Sequence, residues 1–262
     1  MEIVKEDKFF NFITPYGSVS LINIPGIAGV RMSGGWDSSL LCYMLAHCIN
    51  LYQSDISILP ICVKRGNPTN NKKYNRSNNH KVFDAIYKWI QNTYSNVNYN
   101  KALKETANYY WLDLYPNTDR KLSSYILMQR LLEKAAFDIS KTKKKNIVMY
   151  NGVTLNPPHM LHDEETHRNI VIESKESLPK TSKSYFEIYQ NEPVIRSICQ
   201  PFRNVDKRIT IYIAEKLKIF DTLQKLTRSC EGNYENTNNF TVECNECWWC
   251  KEKKWAIETY DK

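Results

Sequence analysis

One stretch, Ile27 to Asn50 (IAGVRMSGGWDSSLLCYMLAHCIN), limits the folds open to this chain more than any other. A short apolar, β-leaning run from Ile27 to Met32 feeds Ser33-Gly34-Gly35, and Asp37-Ser38-Ser39 opens an apolar helical pattern. Two glycines free the backbone to turn sharply and let an anion approach the peptide groups with no Cβ in the way. Asp37, Ser38 or Ser39 is placed to cap the helix, whose first N–H groups point back into the same turn. Strand, glycine turn and helix start together make a cradle for an anion, most often phosphate. The hydroxyls of Ser33, Ser38 and Ser39 add donors at that spot. A plain strand–helix turn that happens to contain Ser-Gly-Gly is the alternative, and the flanking pattern weighs against it.

The rest of the chain repeats the same alternation. Phe9 to Thr14 and Ser18 to Ile24 read as a β-hairpin around Thr14-Pro15-Tyr16-Gly17. Asp55 to Val63 is a second strand of the main sheet, apolar along its length as a strand covered on both faces is. Lys64 to Asn79 is a polar loop, and Val82, Phe83, Ile86, Tyr87, Trp89 and Ile90 give one apolar face to a helix from Asn79 to Asn92. Val97 to Leu103 reads as a third strand, Asp119 to Ile139 as a long helix, and Ile147 to Tyr150 as a fourth strand ending at Asn151-Gly152. A short strand, Pro201-Phe202 and a helix over Asp206 to Leu217 follow, with Asp206 as its cap. Strands alternating with helices imply right-handed crossovers and a mainly parallel, doubly wound α/β sheet, with ligands beyond the carboxyl ends of the strands. That places Val153 to Ser184 near the reaction centre. Its His159, His162, Asp163, Glu164, Glu165 and His167 are read as a substrate-covering loop in preference to a metal site. Lys207, in the first turn of its helix, runs against the helix dipole, which makes sense if it reaches a phosphate; an exposed lysine is the equal alternative.

A chain of 262 residues with 42% hydrophobic content can bury one such core and a small appendage. The start, MEIVKEDKFF, carries charge where a signal peptide is apolar, and no run approaches the roughly 18 apolar residues of a membrane span. The expectation is a cytoplasmic protein with no membrane partner. Eight cysteines then point to metal or catalytic use rather than disulfides. Cys42, Cys48, Cys62 and Cys199 lie in apolar segments and read as core. Cys230, Cys244, Cys247 and Cys250 form C-x13-C-x2-C-x2-C, whose four thiolates suit a structural Zn²⁺, with an iron–sulfur cluster as the rival. The organisation expected is residues 1–227 as one ATP-binding α/β domain and 228–262 as a zinc-binding tail packed on it. The net charge of +8, with clusters at Lys141 to Lys145 and Lys251 to Lys254, is read as solvated lysines; a nucleic-acid partner is the less favoured explanation.

S-G-G-x-D-S-S after a strand resembles the PP-loop of the ATP-pyrophosphatase, or adenine nucleotide α-hydrolase-like, superfamily. The G-x-x-x-x-G-K-[ST] of the ordinary P-loop occurs nowhere in the chain. The resemblance implies a Rossmann-like sheet and enzymes that split ATP between the α and β phosphates, pass AMP to a substrate oxygen and keep pyrophosphate in the loop. It implies nucleotide contacts from Met32, Ser33, Gly34, Gly35, Trp36, Asp37, Ser38, Ser39 and Gly152. Asp37, Ser38 and Lys207 are the implied catalytic residues, with Mg²⁺ neutralising the departing pyrophosphate.

A narrower resemblance rests on three landmarks in order: the SGG-x-DSS loop, P-F-x-N-x-D-K with A-E-K-L after it from Pro201, and S-C…C-x-x-C-x-x-C at the end. Together they look like the 7-cyano-7-deazaguanine synthase family of queuosine biosynthesis. That family implies a ligase that adenylates a small carboxylate, takes ammonia to the amide, and dehydrates it to the nitrile after a second activation. A homodimer is compatible with it. The acidic residue, tyrosine and D-C-R element typical of the family after the fourth strand are absent from NGVTLNPPHMLHDEE. A relative acting on another carboxylate fits that departure. An RNA-modifying member that adenylates a base carbonyl for sulfur or amine transfer, and a nucleotide-binding scaffold without activity, are the alternatives.

Overall fold

The computed structural model describes residues 1–65, 79–107, 111–112, 122–155, 185–189, 196–230, 237–238 and 241–261. Strands β1 (Glu2–Lys5), β2 (Phe9–Thr14) and β3 (Gly17–Ile22) form an antiparallel sheet in that order. The sequence reading has the second and third of these; the short first strand pairs Ile3 with Phe12 and extends the hairpin by one. Phe10, Phe12, Val19 and Leu21 alternate onto one face and are fully buried, so this small sheet is a lid on the main core rather than a free hairpin. Tyr150 fixes its exit. The phenol accepts from the Ile22 amide at 3.0 Å and donates to the Ile22 carbonyl at 2.9 Å.

The main sheet is built from β4 (Gly26–Arg31), β5 (Ile56–Arg65), β6 (Asn98–Tyr99), β7 (Leu103–Ala107), β10 (Asn146–Tyr150), β11 (Tyr185–Tyr189) and β12 (Arg196–Gln200). Between β7 and β10 lies a separate small pair, β8 (Trp111–Leu112) with β9 (Leu122–Ser123). The strand order is β11-β12-β10-β4-β5-β6, with β7 also on β5. Every pairing in it is parallel except β11 with β12. Helix α1 (Trp36–Tyr52) joins β4 to β5, α2 (Asn79–Thr93) leads to β6, and α3 (Ser124–Lys143) leads to β10. Ala28, Val30, Ile56 and Ile58 pack with α1 and α2 on one face; Ile27, Leu59, Ile61, Ile147 and Met149 pack with Leu132 and Ala136 of α3 on the other. Helices therefore cover both faces, and the doubly wound α/β expectation holds.

After β12 come α4 (Lys207–Lys216), α5 (Phe220–Leu226) and α6 (Trp248–Thr259). The last two are absent from the sequence reading. Helix α6 brings Trp248, Cys250, Glu252, Lys253 and Ala256 into the interior. Trp255 lies under the Arg208 guanidinium, 5.0 Å away, which seats α6 on α4. Other differences are local. The third strand is two short pieces, Asn98–Tyr99 and Leu103–Ala107, and the long helix starts at Ser124 because Leu122–Ser123 pairs as strand. Leu131 of that helix is half exposed. The loop readings over most of Lys64 to Asn79 and Val153 to Ser184, including its histidines and acids, lie outside the described residues. Among the described residues no helix is long and apolar enough to cross a membrane.

Strand order sets the location of any ligand. From β4 the chain proceeds to β5 on one side and later to β10 and β12 on the other, so the order reverses between β4 and β10. Loops leaving those two strands must diverge, and the crevice between them is where open α/β sheets bind ligands. Ser33-Gly34-Gly35 follows β4, and Asn151-Gly152 follows β10.

Candidate phosphate site and cysteine centre

The turn after β4 is held by its own polar groups. Gly34 sits at φ 83°, a left-handed conformation that a side chain would strain. The Ser33 amide donates to Ser38 Oγ at 3.3 Å, and the Gly35 amide donates to Ser33 Oγ at 3.3 Å. The Ser39 hydroxyl donates to the Gly35 carbonyl at 2.6 Å. Here one expectation is corrected. None of Asp37, Ser38 and Ser39 caps α1: the N-cap is Gly35, with no side-chain hydrogen bond, because the serines turn back onto the Gly35 carbonyl. Asp37 instead lies in the first turn. Ser229 Oγ accepts from the Trp36 amide at 3.0 Å and the Gly35 carbonyl from the Ser39 amide at 3.2 Å, so the amides of Asp37 and Ser38 are the ones available to a ligand, with the positive end of the helix dipole behind them. Met32 and Trp36, implied as nucleotide contacts, are buried at 1% and 0% exposure and support the turn from below.

Gly152 completes the crevice. An added Cβ there would lie 3.0 Å from the Asp37 carbonyl and the Ser38 amide, so the β10 loop runs directly against the start of α1. Leu155 then donates to the Val205 carbonyl at 2.9 Å, leading this loop alongside the start of α4.

Three distant segments meet in a buried charged trio. Lys207 Nζ lies 2.6 Å from Asp37 Oδ2 and 3.1 Å from Glu252 Oε2. Lys207 and Glu252 are almost fully buried, at 1% and 2% side-chain exposure; Asp37 reaches the crevice at 17%. Asp206 caps α4 by accepting from the Arg208 amide at 3.0 Å, which fixes where Lys207 emerges. Burial alone pulls the Lys207 ammonium down, but Asp37 and Glu252 outweigh it and hold the lysine protonated well above its ordinary range. Glu252 is pushed up to about 7, chiefly by burial, against the opposing pull of Lys207. Thr210 Oγ1 approaches Asp37 Oδ1 at 3.5 Å and accepts from Trp36 Nε1 at 3.1 Å, while Thr154 Oγ1 donates to Glu252 Oε1 at 3.4 Å. Lys207 thus faces two carboxylates rather than solvent, so the exposed-lysine alternative is ruled out. Glu252 is the residue that sequence reasoning missed: it lies within Lys251 to Lys254, a run read as solvated.

The four cysteines converge. Among the described residues Cys230, Cys244, Cys247 and Cys250 are the one His/Cys/Asp/Glu group able to hold a metal, with all four sulfurs within 4.8 Å of one another. The Cys244 amide donates to Cys230 Sγ at 3.2 Å and the Cys247 amide to Cys244 Sγ at 3.3 Å, contacts that favour thiolate charge and orient ligands. The set therefore fits a thiolate-bound metal. Cys42, Cys48, Cys62 and Cys199 are buried as expected. Burial pushes the Cys42 and Cys62 thiols up to about 12, which suits inert packing.

No protein-family model matches the chain, and no curated protein matches it. Among solved structures it is similar to the U34-tRNA thiolase NcsA from Methanococcus maripaludis, described with its [4Fe-4S] cluster, at 15% identity and a TM-score of 0.38. That match covers 91% of this chain and 74% of the other.

Proposed function

We propose that this chain is an ATP-dependent enzyme of the PP-loop type that adenylates a small carboxylate. The observation that carries the reading is the start of α1 behind Ser33-Gly34-Gly35 at the reversal point of the sheet, where Gly35 supplies no side-chain cap to the Asp37 and Ser38 amides and buried Lys207 pairs with Asp37. Backbone amides at a helix start suit the outer phosphates of ATP. With those gripped, a carboxylate oxygen attacks the α-phosphorus, the bond to the bridging oxygen breaks, and pyrophosphate leaves with the electron pair. Ammonia then attacks the acyl carbon, the acyl carbon–oxygen bond breaks so that AMP leaves with its electron pair, and the nitrogen releases one proton to solvent, giving the amide. Ser33, Gly34, Gly35, Asp37, Ser38 and Ser39 would hold the phosphates, and Lys207 would hold Asp37 in place and balance charge at the rim. Asp37 is the residue suited to a Mg²⁺ ion, which would neutralise the leaving pyrophosphate when bound. No protein nucleophile is required.

The sulfur spacing supports zinc over a cluster. A single ion with thiolates at about 2.3 Å sets its sulfurs roughly 3.8 Å apart, against 4.0 Å between Cys247 and Cys230 and at most 4.8 Å across the four. A four-iron cluster spreads its cysteines more widely. Zinc with a carboxylate acceptor is the pattern of the 7-cyano-7-deazaguanine synthase type, and 7-carboxy-7-deazaguanine is the first substrate to try. The net charge of +8 favours an RNA base carbonyl as the second reading. Phosphorus NMR of ATP turnover separates them. AMP and pyrophosphate formed with 7-carboxy-7-deazaguanine and ammonia support the first, the same products with bulk tRNA support the second, and ADP with phosphate contradicts both. Asp37→Ala should remove the AMP signal from a protein that still folds.

A further inference from the structure

The turn and the cysteine centre are joined by more than chain connectivity. Ser229, immediately before Cys230, accepts from the Trp36 amide at 3.0 Å, and the Arg228 amide donates to the Gly34 carbonyl at 2.9 Å. Glu243, immediately before Cys244, accepts from the Ser229 amide at 3.4 Å and pairs with Lys253 at 3.0 Å. Lys253 in turn lies 5.5 Å above the Trp36 ring. Glu252, two residues after Cys250, pairs with Lys207 at 3.1 Å and Thr154 at 3.4 Å. Cys230 and Cys250 thus lie within two residues of a side chain that grips the phosphate turn or Lys207, and Cys244 follows Glu243, which holds Ser229. Cys230 stands well before the other three cysteines in sequence, so a metal that draws them together also fixes Ser229, Glu243 and Glu252 relative to one another.

We propose that Glu252 is a positioning residue for Lys207, and that a metal on Cys230, Cys244, Cys247 and Cys250 raises the affinity of the Ser33–Ser39 turn for phosphate through Glu252 and Ser229. The inference rests on that turn being the phosphate-binding element. Linkage then makes a reciprocal demand: whatever factor the metal adds to nucleotide binding, nucleotide adds to metal binding.

The test uses the full chain loaded with zinc and magnesium-saturated α,β-methylene-ATP. Nucleotide affinity is measured first by calorimetry, and zinc affinity is then measured by chelator competition with and without the nucleotide. Bound nucleotide should tighten zinc by about fivefold or more. Glu252→Gln should keep one zinc per chain and its thermal transition, bind the nucleotide about tenfold more weakly, and lose most of the coupling. Ser229→Ala, a smaller change in the same linkage, should lose part of it. Zinc affinity indifferent to nucleotide in a wild-type chain that binds it overturns the proposal. So does coupling that persists undiminished in both variants, since it then reflects stabilisation of the whole fold. If the wild-type chain binds no nucleotide in the first titration, the phosphate-site reading falls, and this inference with it.

Discussion

Strands β4 and β10 lie side by side, and both ends of the pair bring backbone so close that only glycine fits comfortably. At the amino end Gly26 has φ 144°, and an added Cβ would lie 2.3 Å from the Asn146 carbonyl oxygen. The polar groups there answer one another: the Gly26 amide donates to the Asp55 carbonyl at 2.9 Å, and the Asn146 side chain donates to the Pro25 carbonyl at 3.1 Å. At the carboxyl end Gly152 makes the matching approach to Asp37 and Ser38, but Gly35 gives their amides no side-chain cap and a charged trio is buried beside them. The same steric device serves register at one end and a ligand at the other. The difference lies in which polar groups are left without partners.

Two substitutions sharpen that comparison. Gly26→Ala should have the larger effect, since it combines a strained φ with a clash against backbone that cannot rotate away. A loss of roughly 3 kcal/mol in unfolding free energy is expected from denaturant titration. The protein that remains folded should bind magnesium-saturated ATP analogue as tightly as wild type. Gly152→Ala should do the reverse at smaller scale. Its contact of 3.0 Å is tight rather than impossible, so stability should change by only about 1 kcal/mol, while nucleotide affinity should fall about tenfold, read by calorimetry. Equal effects of both substitutions on nucleotide binding would erase the distinction between the two ends.

Contiguous features were legible in the sequence. The strand, glycine turn and helix from Ile27 to Asn50 stand as read because apolar periodicity and turn chemistry agree over one short stretch. The face of α2 also stands: Phe83, Ile86, Tyr87 and Ile90 are buried. The cysteine spacing carried its own geometry. What was not legible was assembled from far apart. Lys207 meets Asp37 across 170 positions of sequence, and no local pattern announces that pair. Glu252 was hidden by its neighbours, because lysines on either side make a polar run while helical periodicity turns only Glu252 and Lys253 inward. A signal was present: Trp248, Glu252 and Ala256 recur every fourth residue, a buried stripe with a carboxylate in it. The edge strands β1 and β11 are only four and five residues long, too short for a period-2 pattern to stand out from their surroundings.

The central claim is that amides at the start of α1 hold the outer phosphates of a nucleoside triphosphate. A crystal structure of the chain with Mg²⁺ and α,β-methylene-ATP tests it most directly. The account predicts the β and γ phosphates within hydrogen-bond distance of backbone amides between Gly34 and Ser39, with Asp37 facing the metal. A nucleotide seated anywhere else on the protein, with that turn untouched, would contradict it.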